Sequence, residues 1–145
     1  MTEPTTRVLW RLHLASSPER VYDMLATDAG RARFWAESAA EVEGVIDFVF
    51  PGGLTWRGEI LERVPPRLFA VRYYGGSRTT FRLRADAVGG TDLDLVDEEV
   101  GPMDVLEARP GWASVLLALK AAADFGVDLR NHDPARTWAE GFCDN

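Results

Sequence analysis

The sequence predicts an α+β protein in which a curved antiparallel sheet of six to seven strands wraps around one long C-terminal helix, with two short helices after strand 1. Three observations predict it. Residues 37–99 read as strand, turn, strand in unbroken succession. One apolar stripe at helical spacing follows, from Trp112 to Ala123. No second long helix is available to cover the sheet. A sheet that is apolar on one face must bury that face, so it has to close around the one helix it has.

The elements follow in order. In Arg7 to Leu14 the residues Val8, Trp10, Leu12 and Leu14 alternate with Arg7, Arg11 and His13, the period of a half-buried strand. Ser17-Pro18 offers an N-cap serine with proline at the first helical position, and Val21, Met24 and Leu25 form the stripe of a first short helix. A second begins after Thr27-Asp28 and carries Arg31, Phe34 and Trp35. Val45 to Phe50 and Leu54 to Val64 read as a hairpin about Pro51-Gly52-Gly53, and Pro65-Pro66 ends it. Leu68 to Tyr74 turns at Gly75-Gly76 into Thr79 to Ala85, which turns at Gly89-Gly90 into Thr91 to Asp97. Hairpin succeeds hairpin, so the sheet is antiparallel. The long helix after Gly101-Pro102 spans about four turns, and Gly126 either ends it or lies within a continuation to Asn131. Asp133-Pro134 predicts a short terminal helix over 134–142 with Trp138 and Phe142 on one side. The whole reads as a single domain, 1–145, with its core at about 7–126.

Composition excludes several function classes. A net charge of -7 opposes a nucleic-acid binder, which needs a basic face to displace phosphate counterions. No run approaches the ~20 apolar residues of a membrane span. The lone cysteine, Cys143, can form neither an intramolecular disulfide nor a cysteine metal cluster, and no export signal is visible, so a cytoplasmic setting is expected. The negative charge is concentrated: eight carboxylates lie between Asp86 and Glu107 with no Lys or Arg among them, which reads as a solvated acidic rim or a docking edge.

Several short segments together resemble the START-like (SRPBCC) superfamily and its helix-grip fold. They are Ala15 to Tyr22 after the first strand, Phe34-Trp35 after the second helix, and the Gly52-Gly53 turn. Gly58-Glu59-Ile60 leading to Pro65-Pro66-Arg67-Leu68, Gly90-Thr91-Asp92-Leu93, Gly111-Trp112 and Leu119-Lys120 complete the set. Within the superfamily the chain is most similar to bacterial proteins like the C-terminal domain of the activator of heat-shock-protein-ninety ATPase. The resemblance implies an apolar pocket between sheet and helix. It leaves function open, because lipid carriers, polyketide binders, cyclases and co-chaperone domains share that shape. Relatives often end the last strand Leu-x-Leu-x-His-x-Gly, whereas Asp97 stands here at the position of that histidine.

Catalytic and cofactor signatures are missing from the sequence: there is no P-loop, G-x-G-x-x-G, H-E-x-x-H or G-x-S-x-G. His13 and His132 are far apart in the chain, so neither a metal nor another cofactor is expected. The inward aromatics and aliphatics are the ligand-binding candidates: Trp10, Phe48, Trp56, Phe81, Leu83, Leu95, Trp112 and Leu116. Solid core packing is the plain alternative for each of them. Asp97 shares the inward parity of Thr91, Leu93 and Leu95, and by extension Glu99 and Arg72 turn inward too. A carboxylate in an apolar pocket could orient a polar group or act as an acid or base, so Asp97 and Tyr73, with Tyr74 beside it, are the catalytic candidates. The leading function is non-catalytic binding of a small hydrophobic or amphipathic molecule. The alternatives are a cyclase- or hydrolase-type enzyme using the same pocket, and a co-chaperone-like interaction module that meets a chaperone or a second copy through the acidic edge or through Trp138 and Phe142.

Overall fold

The computed structural model describes residues 6–101 and 104–145; the polar opening segment and Pro102, used above to separate the last strand from the helix, lie outside them. Seven strands form one antiparallel sheet in the order β1-β7-β6-β5-β4-β3-β2. They are β1 (Thr6–Leu14), β2 (Ser38–Val42), β3 (Val45–Val49), β4 (Thr55–Val64), β5 (Leu68–Arg72), β6 (Arg78–Ala85) and β7 (Thr91–Val100). Each strand from β2 to β7 pairs with its sequence neighbour, and β7 closes on β1. That closure joins the two ends of the strand region. The helices are α1 (Pro18–Ala26), α2 (Asp28–Ala32) and α3 (Val105–Phe125).

The first two helices form for the local reasons read from the sequence. Ser17 Oγ accepts from the Arg20 amide at 3.3 Å, and Pro18 occupies the first turn of α1. Thr27 serves both helices: its Oγ1 donates to the Asp23 carbonyl at 2.6 Å and accepts from the Gly30 amide at 3.0 Å. Gly30 is required there, because a Cβ would sit 2.5 Å from the Met24 Cα. Next to it Arg31 is fully buried and donates to the carbonyls of Ala39 (2.9 Å) and Leu25 (3.1 Å) and to Asp28 (2.6 Å). One guanidinium thus pins α1, α2 and β2 together.

The long helix runs 21 residues, about six turns, and starts well before the Trp112 stripe. Pro110 lies inside it; the carbonyl its ring leaves without a partner belongs to Leu106, which is exposed and can turn to water. Gly126 ends the helix in the left-handed region (φ 65°), and the amides of Gly126 and Val127 bond back to Ala122 and Ala121. The continuation to Asn131 is therefore not helical. Trp112, Leu116 and Leu119 meet the sheet, and an alanine-rich last turn lets the helix come close to β1. Asp124 at that end accepts from the amides of Ala15 and Ser16, both at 2.9 Å, and from Ser16 Oγ at 2.7 Å. Burial opposes its charge, but these donors outweigh burial and hold its pKa below the usual carboxylate range. No helix among the described residues is long and apolar enough to cross a membrane.

Beyond Gly126 the chain is corrected in one respect. The helix expected over 134–142 is absent: Asp133 Oδ1 accepts from the Ala135 amide (2.8 Å) in a local turn, and one 3-10 turn, Trp138–Glu140, ends at Gly141 with φ 89°. So short a helix is marginal without a packed face. The tail instead closes on itself, from the Asn131 amide to the Asp144 carbonyl (2.7 Å), and is fastened to the body. Arg130 donates to the carbonyls of Ala32 and Ala36, each at 2.7 Å. His132 lies between Asp128 (2.7 Å) and Glu37 (2.6 Å).

Two predictions follow from these anchors. Arg31→Ala strands the buried carbonyls of Leu25 and Ala39 and leaves exposed Asp28 with the Glu41 amide alone, so denaturant titration should show a loss of about 2–4 kcal/mol, which Arg31→Lys does not restore. The tail anchor should respond to pH. The bond to Asp128 raises the His132 pKa, and Arg130 and His132 outweigh burial to hold Asp128 at about 2. Because the folded histidine binds its proton more tightly, its stabilisation is complete below the ordinary value of about 6.5 and is lost as pH rises through the raised one. Amide exchange of residues 131–142, corrected for intrinsic rate, should speed up across that rise, and His132→Gln should abolish the step.

Candidate functional site

Period-2 alternation brings Asp97 to the inner face, and a bulge just beyond it decides what else arrives there. Thr6 pairs with Val100 and Val8 with Asp97, so β7 holds one extra residue, and Glu99 adopts φ 62°. The bulge turns Glu99 outward and returns Val100 to the inside. The inward placement expected for Glu99 and Arg72 is therefore corrected. Both are on the surface, where Arg72 donates to Glu99 at 2.9 Å and to the Gly76 carbonyl at 3.0 Å.

Asp97 itself is 2% exposed. Thr79 Oγ1 donates to one carboxylate oxygen and Trp112 Nε1 to the other, both at 2.9 Å, so the carboxylate ties β6 and β7 to α3. Ser77 Oγ lies close enough to favour the charged form but makes no aligned hydrogen bond. Burial prevails over these three donors and raises the Asp97 pKa above the usual carboxylate range. Tyr73 accepts from Trp35 Nε1 at 3.0 Å, and burial pushes its phenol far up, so it stays neutral.

Around this pair the N-terminal half of α3 stands off the sheet and leaves a cleft of about 520 Å³. Phe50 and Trp56, their ring centroids 4.4 Å apart and tilted by 30°, come from the β3–β4 hairpin; Tyr73, Tyr74 and Ser77 come from the β5–β6 connection; Asp97 comes from β7 and Trp112 from α3. The tail closes the remaining side with Thr137 and Trp138. Much of the wall is aromatic, with Trp112 4.9 Å and Trp56 5.3 Å from Tyr73, and among the described residues no Lys, Arg or His lines it.

The candidates divide cleanly in space. Trp56, Tyr73, Tyr74, Asp97 and Trp112 meet at the cleft. Phe48, Phe81, Leu83, Leu95 and Leu116 are packed in the core beneath it, and Trp10 is outside, its Nε1 donating to the Arg109 carbonyl (2.8 Å) under that residue's guanidinium. Trp35 was not among the candidates, yet its ring touches Phe48, Tyr73, Phe81 and Trp112 at 4.9–5.8 Å and holds the inner wall. Phe50 shares the inward phase of Phe48, as the alternation of its strand predicts, and lines the cleft; Ser77 and Trp138 reach it through turns, for which spacing offers no signal. His13 bonds Asp92 at 3.0 Å on the outer face, Cys143 is exposed, and no cluster of three metal-ligating side chains occurs among the described residues.

Asp97 carries a stability signature of opposite sign to that of a paired surface acid. With its folded pKa raised, the native state binds a proton that the unfolded chain releases, so stability falls as pH rises from the ordinary value of about 3.9 through the folded one. Asp97→Asn should flatten that slope and be the more stable form at neutral pH. Asp97→Ala, which strands the Trp112 and Thr79 donors, should lose about 2–4 kcal/mol at acidic pH, where Asp97 is protonated, and the deficit should narrow as pH rises.

No family model matches the chain, and no curated protein matches it. Solved structures do. The Aha1 dimer from Colwellia psychrerythraea is 22% identical, over 83% of this chain and 98% of that one, with a TM-score of 0.75. Protein SSP2350 from Staphylococcus saprophyticus is 20% identical, over 86% of this chain and 96% of that one, also at 0.75. DynU16, a protein of the dynemicin biosynthetic locus, is 16% identical at a TM-score of 0.73; the match covers 84% of this chain and 48% of that one. At these identities the likeness establishes shape. With a curved seven-stranded sheet around α3 and two short helices after β1, the chain has the START-like helix-grip fold, similar to that of the Aha1 protein.

Proposed function

We propose that the protein binds a small hydrophobic or amphipathic molecule in the cleft between α3, the sheet and the tail, without transforming it. The observation that carries the reading is the composition of the cleft: apolar side chains, six aromatic residues among them, dominate its wall, and the polar groups of Asp97, Ser77 and Tyr73 lie among them. Such a site draws affinity from buried apolar contact and orientation from convergent polar atoms. The likeness to DynU16 is in keeping with this, since the same fold occurs in a biosynthetic locus.

A second reading makes the same cleft an active site. It rests on Asp97, buried beside the cleft with its pKa raised, which could hold or accept a proton within reach of a bound molecule. Asp97→Asn separates the two readings by turnover: an enzyme loses it, whereas a binder has none to lose. A homodimer is supported by the dimeric Aha1 structure and by the exposed Leu117, Phe125 and Leu129 at the far end of α3, and a cytoplasmic setting by the unpaired Cys143. Chaperone docking has less support. Of the outer acids of β7, Asp94 pairs with Arg11 and Arg84, Asp92 with His13 and Glu99 with Arg72, which leaves Glu98 alone free among the described residues, and Trp138 faces the cleft.

Native mass spectrometry of freshly purified protein, set against its denatured mass, should reveal a co-purifying small molecule. A screen of uncharged amphiphiles such as long-chain alcohols, and of fused-ring aromatics, should shift the indole signals of Trp56, Trp112 and Trp138. Ala108→Trp, which fills the cleft from α3, should weaken binding by about tenfold or more, 1.4 kcal/mol, with the fold intact. A ligand-free mass together with no indole shift at millimolar ligand would overturn the proposal.

A further inference from the structure

The charges of the cleft are one-sided. Asp97 lies at its inner end and Asp104 and Glu107 at its mouth, and no cationic side chain lines it. None of the three takes part in an ion pair among the described residues, whereas Asp86, Asp92, Asp94 and Glu99 of the same acidic stretch all do. Outside the cleft Asp94 and Glu99 are paired with arginine, while Glu98 stands in water; the three acids of the cleft have no counterion among the described residues. The helix dipole does not account for this. It places about half a positive charge at the start of α3, while Asp104 and Glu107 bring two negative ones, and Asp104 makes no side-chain cap.

Two further observations point to a ligand. Ser77 is 3% exposed and lines the cleft, and its hydroxyl has no aligned partner. Trp56 Nε1 is buried beside the Tyr73 hydroxyl but likewise makes no aligned hydrogen bond. Buried polar groups rarely stay unpaired. The rings of Trp56, Tyr73 and Trp112, packed 4.9–5.3 Å apart, surround the same inner end, and aromatic faces attract cations through their quadrupoles.

Building on the binding function proposed above, we propose that the cleft selects an organic cation: a protonated or quaternary amine on an apolar or aromatic frame, its charge held between Asp97 and the rings of Trp56, Tyr73 and Trp112. Ser77 accepts an N–H of the amine, Trp56 Nε1 donates to a neutral oxygen on the frame, and Asp104 and Glu107 draw the cation to the mouth. An anionic fatty acid would meet three uncompensated carboxylates.

The test compares three probes of one shape on the full chain, naphthylmethylamine, naphthylmethanol and naphthoate, read by the indole signals of Trp56 and Trp112 at low salt and neutral pH. The amine should bind at least about tenfold more tightly than the alcohol, the smallest effect expected of an opposite charge within a few ångströms, and naphthoate should bind weakest. Asp97→Asn should remove most of the gap between amine and alcohol. Glu107→Gln, on the exposed rim where folding is not at stake, should weaken the amine and reduce its salt dependence while leaving the alcohol unchanged. If the alcohol or naphthoate binds as tightly as the amine, charge selection is overturned and amphipath binding stands. If no probe shifts the indoles at millimolar concentration, both fall. An amine preference undiminished in both variants also overturns it, for it would then arise from the net charge of -7 and not from the cleft.

Discussion

The bond from Trp112 Nε1 to the Asp97 carboxylate sets where the long helix can lie on the sheet. Both partners are buried, so neither can exchange the other for water, and separating them costs about 1.5–3 kcal/mol. Thr79 holds the second carboxylate oxygen and thereby fixes Asp97 to β6 as well as β7. From this point toward Gly126 the helix presents Leu116, Leu119 and alanines and lies close to β1, where Asp124 receives the Ala15 and Ser16 amides. In the other direction it diverges from the sheet. Half-buried Ala108 and Gly111 are too small to fill the space, and the cleft is what remains.

The bulge in β7 is the second constraint on the site. A regular strand would have carried Glu99 into the interior two residues after Asp97, placing two carboxylates in one apolar space with nothing to neutralise them, an arrangement that burial and like charge both oppose. The extra residue turns Glu99 out to Arg72 and brings Val100 in. Asp97 is left as a single inward acid, with its two strongest donors drawn from different elements.

Much of the fold was legible because it is written in local periodicity. Ser17 and Thr27 mark their helices by chemistry that acts within three or four residues, and the alternation of Thr91, Leu93 and Leu95 carries Asp97 to the inner face without knowledge of any partner. The site was legible in part. Parity identifies which side chains turn inward but not which of them touch one another, so Phe81 and Leu95, both in the packed core, read the same in sequence as Trp56 and Trp112, on the cleft wall. Nothing local distinguishes filled space from empty space.

By itself the sequence determined six of the seven strands and the three helices in their order, the antiparallel pairing and the inward position of Asp97, because each depends on spacing along the chain and on turn and cap residues close at hand. Only the tertiary structure decided the rest. It replaced the terminal helix with a tail fastened by Arg130 and His132, turned Glu99 outward, made Trp35 the ring on which Tyr73 and Trp112 rest, and left Asp97, Asp104 and Glu107 without cations while giving Arg84 and Arg11 to Asp94. These outcomes depend on which surfaces meet across long stretches of chain. Packing and charge pairing are settled there, between residues that no local pattern relates.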